Sequence, residues 1–151
     1  MARAPLSLKA RAIGLLAQRE HSRIELRRKL LSIERRSRAA AAAAPGNADG
    51  AAPPEESEAA EAVGEAAVDA LLDALATEGY LDETRFVESR LHVRAGRFGA
   101  QRIQQELAQH GLRLDAEQQA SLRETEMERA REVWKKRFGD PPSREAAEQA
   151  R

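Results

Sequence analysis

The chain has 151 residues and no cysteine, which excludes a disulfide framework, a thiolate metal site and a thiol nucleophile. Aromatic residues are almost as scarce: one Trp, one Tyr and three Phe, 3% of the chain. That number suits a single domain of modest core and is too small for the stacking platforms of a single-strand binder. No apolar run approaches the ~18 residues of a spanning helix, so no membrane partner is expected. The start Met1-Ala2-Arg3-Ala4-Pro5 leads into no apolar stretch, and the cytoplasm is the expected compartment. Strand signals are missing too, since β-branched residues are few and no alternating run exceeds a few positions. The three histidines, His21, His92 and His110, lack metal-ligand spacing. With no phosphate loop and no recognisable paired-carboxylate site, the expectation is a chain that is not an enzyme, with no cofactor and no metal.

Charge is abundant and unevenly placed. The total is 25 basic against 25 acidic residues, but residues 1–38 hold 11 Lys or Arg against 3 Asp or Glu, net +8. Residues 39–84 hold 11 acidic residues and no basic one, net −11, and 85–151 hold 14 against 11, net +3. Of the 25 cations 21 are Arg, whose planar fork suits carboxylate or phosphate, so the asymmetry points to an anionic partner for the N-terminal part.

Periodicity gives helices throughout. Leu8, Ala12, Leu15 and Leu16 form one apolar stripe and Leu26, Leu30 and Ile33 a second, separated by a break at Glu20-His21-Ser22. Ser22 three residues before Glu25 has the spacing of a capping box. Residues 39–60 read as a flexible linker: an alanine run broken by Pro45-Gly46, Asn47, Asp49-Gly50 and Pro53-Pro54, then a glutamate-rich flank. Val68, Leu71, Leu72 and Leu75 mark the next helix, which Gly79 ends. Asp82 is the expected cap of another, with Leu81 and Phe86 placed for a hydrophobic staple. It runs to about Ala95. Gly99 precedes a helix carrying Ala100, Ile103 and Leu107 that closes at His110-Gly111. Asp115 with Gln118, and Thr125 with Glu128, predict caps of two further helices.

A repeat underlies this series. Ser22-Arg23-Ile24-Glu25-Leu26-Arg27-Arg28-Lys29-Leu30 superposes on Gly99-Ala100-Gln101-Arg102-Ile103-Gln104-Gln105-Glu106-Leu107, matching Leu26 with Ile103 and Leu30 with Leu107. Arg137-Phe138-Gly139 echoes Arg97-Phe98-Gly99, a spacing of 40 residues, and Gly139, like Gly99, is expected to precede a helix. A three-helix unit of that length cannot bury its apolar face alone, so stacked units forming a short α-solenoid are expected.

Three blocks, Ala17 to Leu30, Leu75-Ala76-Thr77-Glu78-Gly79-Tyr80-Leu81-Asp82-Glu83-Thr84-Arg85-Phe86, and Gly99 to Leu107, resemble in sequence and in order the RecX regulatory proteins of bacteria. The resemblance covers roughly residues 8–38 and 66–145. It implies an all-α, right-handed array of tandem three-helix repeats. Residues 1–38 would supply the first two helices of the first repeat. Residues 61–112 would supply its third helix and most of the second repeat, and 113–151 the end of the second and part of a third. The family pattern expects a final helix pair, so with the chain ending at Arg151 the third repeat reads as incomplete. The resemblance further implies a monomer that binds the RecA recombinase, free and in its filament on single-stranded DNA. There it would restrain ATPase, strand exchange and coprotease activity in recombination, DNA repair and the SOS response.

Two classes of residue stand out. His21 beside Ser22 invites a catalytic reading, but a Ser-His nucleophile needs the imidazole on the serine oxygen and a carboxylate behind it, a geometry adjacent residues do not give by default. Capping explains Ser22 and Glu25 better, and His21 falls at a position where a partly packed ring is usual. Gly79, Leu81, Asp82, Arg85, Phe86 and Gly99 likewise read as structural, while Tyr80 could pack inward or face a partner. The binding candidates are arginines: Arg19, Arg23, Arg27 and Arg28 on the first repeat, Arg90, Arg94, Arg97 and Arg102 on the second. In a solenoid such groups could merge into one positive stripe. Alternatively they form a solvated face with intrahelical partners, or the Arg-rich helix after Ser22 reads DNA directly.

Overall fold

The computed structural model describes residues 6–44 and 54–140. They form six helices and, among the described residues, no strand: α1 (Leu8–Gln18), α2 (Arg23–Ala42), α3 (Pro54–Thr77), α4 (Glu83–Arg94), α5 (Ala100–Gln109) and α6 (Ala116–Phe138). The architecture is an all-α helical repeat. The chain divides into two compact units, Met1–Phe86 and Val87–Arg151.

In the first unit α1 packs on α2 and α2 on α3. Ser7 opens α1 by accepting the Ala10 N–H at 3.2 Å, and Ser22 opens α2 by accepting the Glu25 N–H at 3.2 Å, each satisfying a first-turn donor that has no intrahelical partner. The apolar stripes read from periodicity are the core: Ala12, Leu26, Leu30, Val68, Leu72, Leu75 and Leu81 are buried, with Leu8, Leu15, Leu16 and Leu71 packed against them. Truncating a fully buried leucine such as Leu26 or Leu72 to alanine costs about 2–5 kcal/mol.

The expected linker is shorter than its composition suggests. α2 continues through Ala39–Ala42 and α3 already begins at Pro54, so both shoulders of the 39–60 stretch are helical. Alanine is the best helix former, and a proline in the first turn lacks only an N–H that would have no intrahelical partner. The breakers from Pro45 to Pro53 lie outside the described residues.

α3 and α5 end in the same way. The Tyr80 N–H donates to Leu75 O at 2.9 Å and the Gly79 N–H to Ala76 O at 3.1 Å, while Leu112 donates to Leu107 O and Gly111 to Ala108 O, both at 3.0 Å. Both are Schellman closures, and they need the left-handed φ that Gly79 (80°) and Gly111 (70°) adopt. After the first of them, Asp82 Oδ1 accepts from the Thr84 and Arg85 N–H groups at 2.8 and 3.1 Å, and Leu81 and Phe86 are both buried, as a staple requires.

In the second unit α5 packs on α6. Ala100, Ile103 and Leu107 are buried on α5, with Leu114 and Leu122 also buried. The two helices of the sequence repeat therefore share a register, since Leu26 and Leu30 on α2 and Ile103 and Leu107 on α5 are all buried. Asp115 and Gln118 form a complete capping box at the start of α6.

One expected helix boundary is absent. α6 runs unbroken through Thr125, whose hydroxyl donates back to Ser121 O at 3.0 Å. Capping spacing marks a helix start only where the preceding residues interrupt the helix, and Leu122-Arg123-Glu124 contains neither Gly nor Pro. Gly139 closes α6, donating its N–H to Lys135 O at 2.8 Å. The helix expected after it, with the rest of the partial third repeat, lies outside the described residues.

Candidate interaction surface

The arginines singled out by charge are mostly engaged within the chain. On the first unit, Arg27 forks onto Asp69, Nε to Oδ1 2.7 Å and Nη2 to Oδ2 3.0 Å, with Glu65 at 3.5 Å. One turn earlier Arg23 Nη2 meets Asp73 Oδ1 at 2.6 Å, and two turns later Arg35 meets Glu61 at 2.7 Å. These pairs form a ladder between antiparallel α2 and α3. Hydrogen bonding from Arg27 holds the Asp69 carboxyl below its ordinary range. Much of the sequence's positive block thus faces its negative block, so net +8 over residues 1–38 is not free charge. Arg19 holds the Glu25 carboxylate with two nitrogens and the Glu20 carbonyl at 3.1 Å. Arg28 alone of this group is exposed with no ion pair among the described residues.

Glu25 is the centre of a small polar cluster at the α1–α2 corner. Besides Arg19 it takes Lys29 at 3.4 Å and lies 3.9 Å from His21. Burial alone would raise its pKa, but the Arg19 hydrogen bond and the charges of Arg19, His21 and Lys29 outweigh it and bring the group down to about 2. His21 is fully buried, deeper than a partly packed ring. Its Nδ1 lies 2.9 Å from the Arg19 carbonyl and its Nε2 2.9 Å from Lys29 Nζ. A carbonyl and an ammonium can be satisfied together only if Nδ1–H donates and Nε2 accepts, which is a neutral ring. Burial, with smaller contributions from Arg19 and Lys29, lowers the His21 pKa. With Ser22 bonded to the Glu25 N–H, this arrangement is that of a capped corner.

The turn around Gly79 is held from a neighbouring helix start. Arg85 donates to the Gly79 and Tyr80 carbonyls at 3.0 and 3.1 Å and to Glu20 at 3.1 Å. Glu83 accepts the Arg23 N–H at 3.2 Å. Tyr80 itself is 45% exposed, so its ring faces solvent.

On the second unit, Arg90 and Arg94 share Glu106, at 3.4 and 3.2 Å. Arg94 and Arg102 both lie over the Phe98 ring, 5.3 and 4.7 Å from its centroid. Arg97 and Arg102 are exposed and have no carboxylate partner among the described residues. Sequence reasoning missed two residues here. Glu126 accepts the Ala100 N–H at 3.0 Å and so caps α5, where Gly99 has no side chain to do it. Arg129 binds the carbonyls of Ala95, Phe98 (3.0 Å) and Leu122 (2.8 Å), and Thr125 Oγ1 (3.1 Å). No sequence spacing announces either, because the Glu126 contact to Ala100 and the Arg129 contacts to Ala95 and Phe98 each span more than 20 residues of chain. The α2–α3 ladder did have a signal, the four-residue period of Glu61, Glu65, Asp69 and Asp73 set against Arg23, Arg27 and Arg35.

Among the described residues no group of His, Asp or Glu is placed to hold a metal ion, and no helix is long and apolar enough to cross a membrane. Paired helices in a repeated register, pinned by arginines and capped by serine, aspartate and glutamate, define a helical repeat protein. No protein-family model matches the chain. Curated relatives do: it is 45% identical over 151 residues to the regulatory protein RecX of Ralstonia pickettii, covering 99% of this chain and 77% of that one. The figures are 44% over 153 residues for the Leptothrix cholodnii protein (99% and 80%) and 40% over 149 residues for one from Pseudomonas putida (95% and 84%), both also named regulatory protein RecX. The chain belongs to the RecX family of regulatory proteins.

Proposed function

We propose that this chain is a non-enzymatic regulator that binds RecA and its nucleoprotein filament in the cytoplasm, and in doing so lowers ATP hydrolysis, strand exchange and coprotease activity. The observation that carries this reading is 45% identity along nearly the whole chain to a protein named regulatory protein RecX. Contact falls to those of the candidate arginines that have no carboxylate partner among the described residues: Arg28 on α2, Arg97 after α4 and Arg102 on α5. Arg19, Arg23 and Arg27, and likewise Arg90 and Arg94, act first within the fold and reach a partner only through whatever donors their internal pairs leave over.

Pull-down on RecA filaments, beside naked single-stranded and duplex DNA at two salt concentrations, tests it. Capture by the filament at moderate salt, together with a fall in DNA-stimulated ATP hydrolysis by RecA as the chain is titrated in, is expected. Unchanged hydrolysis across a full titration would refute the reading, and capture by duplex alone would favour a direct DNA reader.

A further inference from the structure

Helix α2 carries arginine on two sides. Arg23, Arg27 and Arg35 turn toward α3 and meet Asp73, Asp69 and Glu61 there, while Leu26 and Leu30 are buried in the core. The helical period leaves Arg28, Ser32 and Arg36 on a further side, and all three are exposed. Arg28 and Arg36 stand in the body of α2, about 12 Å apart along its axis, and neither has an ion pair among the described residues. The two carboxylates of α2 do not offset them: Glu25 is taken by Arg19 and Lys29, and Glu34 by Arg38. The row therefore keeps its charge. Apolar surface brackets it, with Ile24, 42% exposed, one turn before Arg28, and the exposed Ala39 and Ala40 just after Arg36.

We propose that this row docks an acidic helix of a protein partner, one that presents carboxylates at four-residue spacing to Arg28 and Arg36 and small apolar side chains to Ile24 and Ala40. The chain holds its own template for the contact. Arg23 and Arg27, four residues apart, meet Asp73 and Asp69, four residues apart on an antiparallel helix, and Arg27 closes a two-bond fork there at 2.7 and 3.0 Å. The outward row repeats that residue type on the same backbone, with the small Ser32 at the point where a second helix has to come close. A phosphate backbone would satisfy the two guanidiniums as well, but it has nothing to set against Ile24 and the exposed alanines, so an amphipathic protein helix complements more of the face. With RecA as the partner, this deepens and rests on the function proposed above; the face itself is testable without RecA.

The probe is a dye-labelled alanine-based helical peptide with glutamate at every fourth residue, and its fluorescence anisotropy with the full chain is the readout. Saturable binding is expected, weakening as salt rises. Arg28→Glu with Arg36→Glu should weaken it at least about tenfold, and Ile24→Ser by about threefold. Circular dichroism should show both variants as helical as the parent, since these side chains are exposed. The proposal is overturned if the peptide does not bind, if a peptide of the same composition with its glutamates in one block binds as tightly, or if the double reversal binds like the parent. It is equally overturned if single-stranded or duplex DNA of equal charge binds more tightly and is released by the same reversal, or if the parent self-associates and the reversal abolishes that, since a second copy would then fill the face. Titration into RecA filaments separates the two readings. A parent that binds the peptide and not the filament would sink the regulatory function and support the face, whereas filament capture untouched by the double reversal would overturn the assignment of this face to RecA.

Discussion

Arg27 and Asp69 face one another across α2 and α3 in a two-bond fork, with Nε–Oδ1 at 2.7 Å and Nη2–Oδ2 at 3.0 Å. Four residues back along α2 and four on along α3, Arg23 and Asp73 repeat the contact, and Arg35 with Glu61 continues the register at the other end. A ladder with one register disfavours any slip of α3 along α2, because a shifted helix would set carboxylates against apolar positions. Both partners of the Arg27 pair are solvated, so its value lies in register and mutual orientation more than in strength.

Charge reversal at this pair should therefore lower the thermal midpoint and not leave the fold untouched. Arg27→Glu places a carboxylate against Asp69 and Glu65, and the midpoint should fall at low salt and recover partly as salt screens the repulsion. The swap Arg27→Asp with Asp69→Arg should restore most of the loss. Thermal melts of parent, single and swapped chains at two ionic strengths check this, and a swap no better than either single would show the pair does not set the register.

The cap on α5 makes a second prediction, in which two residues are coupled. Glu126→Ala removes the acceptor of the Ala100 N–H and should destabilise the second unit by about 0.5–2 kcal/mol, with faster amide exchange at Ala100. A Cβ on Gly99 would come within 2.6 Å of Glu126 Oε1, so Gly99→Ser in the parent displaces the existing cap. In the Glu126→Ala background the same serine can supply its own oxygen, as Ser22 does on α2. Gly99→Ser should thus be stabilising only when Glu126 is absent, and denaturant titration of the four chains of the cycle reads that sign change.

Arg129 supports the third. It gathers four acceptors from the turn after α4 and from its own helix, which a guanidinium can do and an ammonium cannot. Arg129→Lys keeps the charge but abandons the fork, leaving carbonyls without donors at a cost of about 1–3 kcal/mol. Urea unfolding should show that loss together with faster exchange of the amides around Phe98, and a lysine variant as stable as the parent would show that charge alone suffices.

The fold was legible where local chemistry decides it. Ser22, Asp82 and Asp115 cap helices as their spacing predicts, Gly79 and Gly111 close them, and the stripes led by Leu26, Leu72 and Ile103 are buried. The sequence misled where a local signal lacked a neighbouring one. Ala39–Ala42 and Pro54 stayed helical because alanine favours helix and proline tolerates its first turn, and Thr125 sits mid-helix because nothing before it breaks the helix. At the surface, block charge pointed to an anionic partner for Arg23 and Arg27 and did not announce that both also meet carboxylates on α3, a pairing that only the packing of the two helices creates. The Glu126 cap and the Arg129 clamp depend wholly on such packing.

The buried His21 gives the last prediction, a pH dependence in two stages. Neutral His21 donates to the Arg19 carbonyl and accepts from Lys29, while Arg19, Lys29 and Glu25 are the charged groups facing it. Its folded pKa lies below the ordinary 6.5, so the unfolded chain takes up the proton first. The stability this contributes is complete above pH 6.5 and is lost as pH falls from there through the lowered folded value. Glu25, held at about 2 against an ordinary 4.5, adds a second loss that begins near pH 4.5 and continues toward 2. Thermal midpoints measured from pH 8 to pH 3 should fall in those two windows. His21→Gln should be less stable at pH 8 by about 1–3 kcal/mol, since an amide fills the ring's space imperfectly and risks an unpaired buried group. It should nevertheless lose the first stage and keep the second. A parent whose midpoint is flat between pH 7 and pH 5 would show that His21 is not held neutral at the corner.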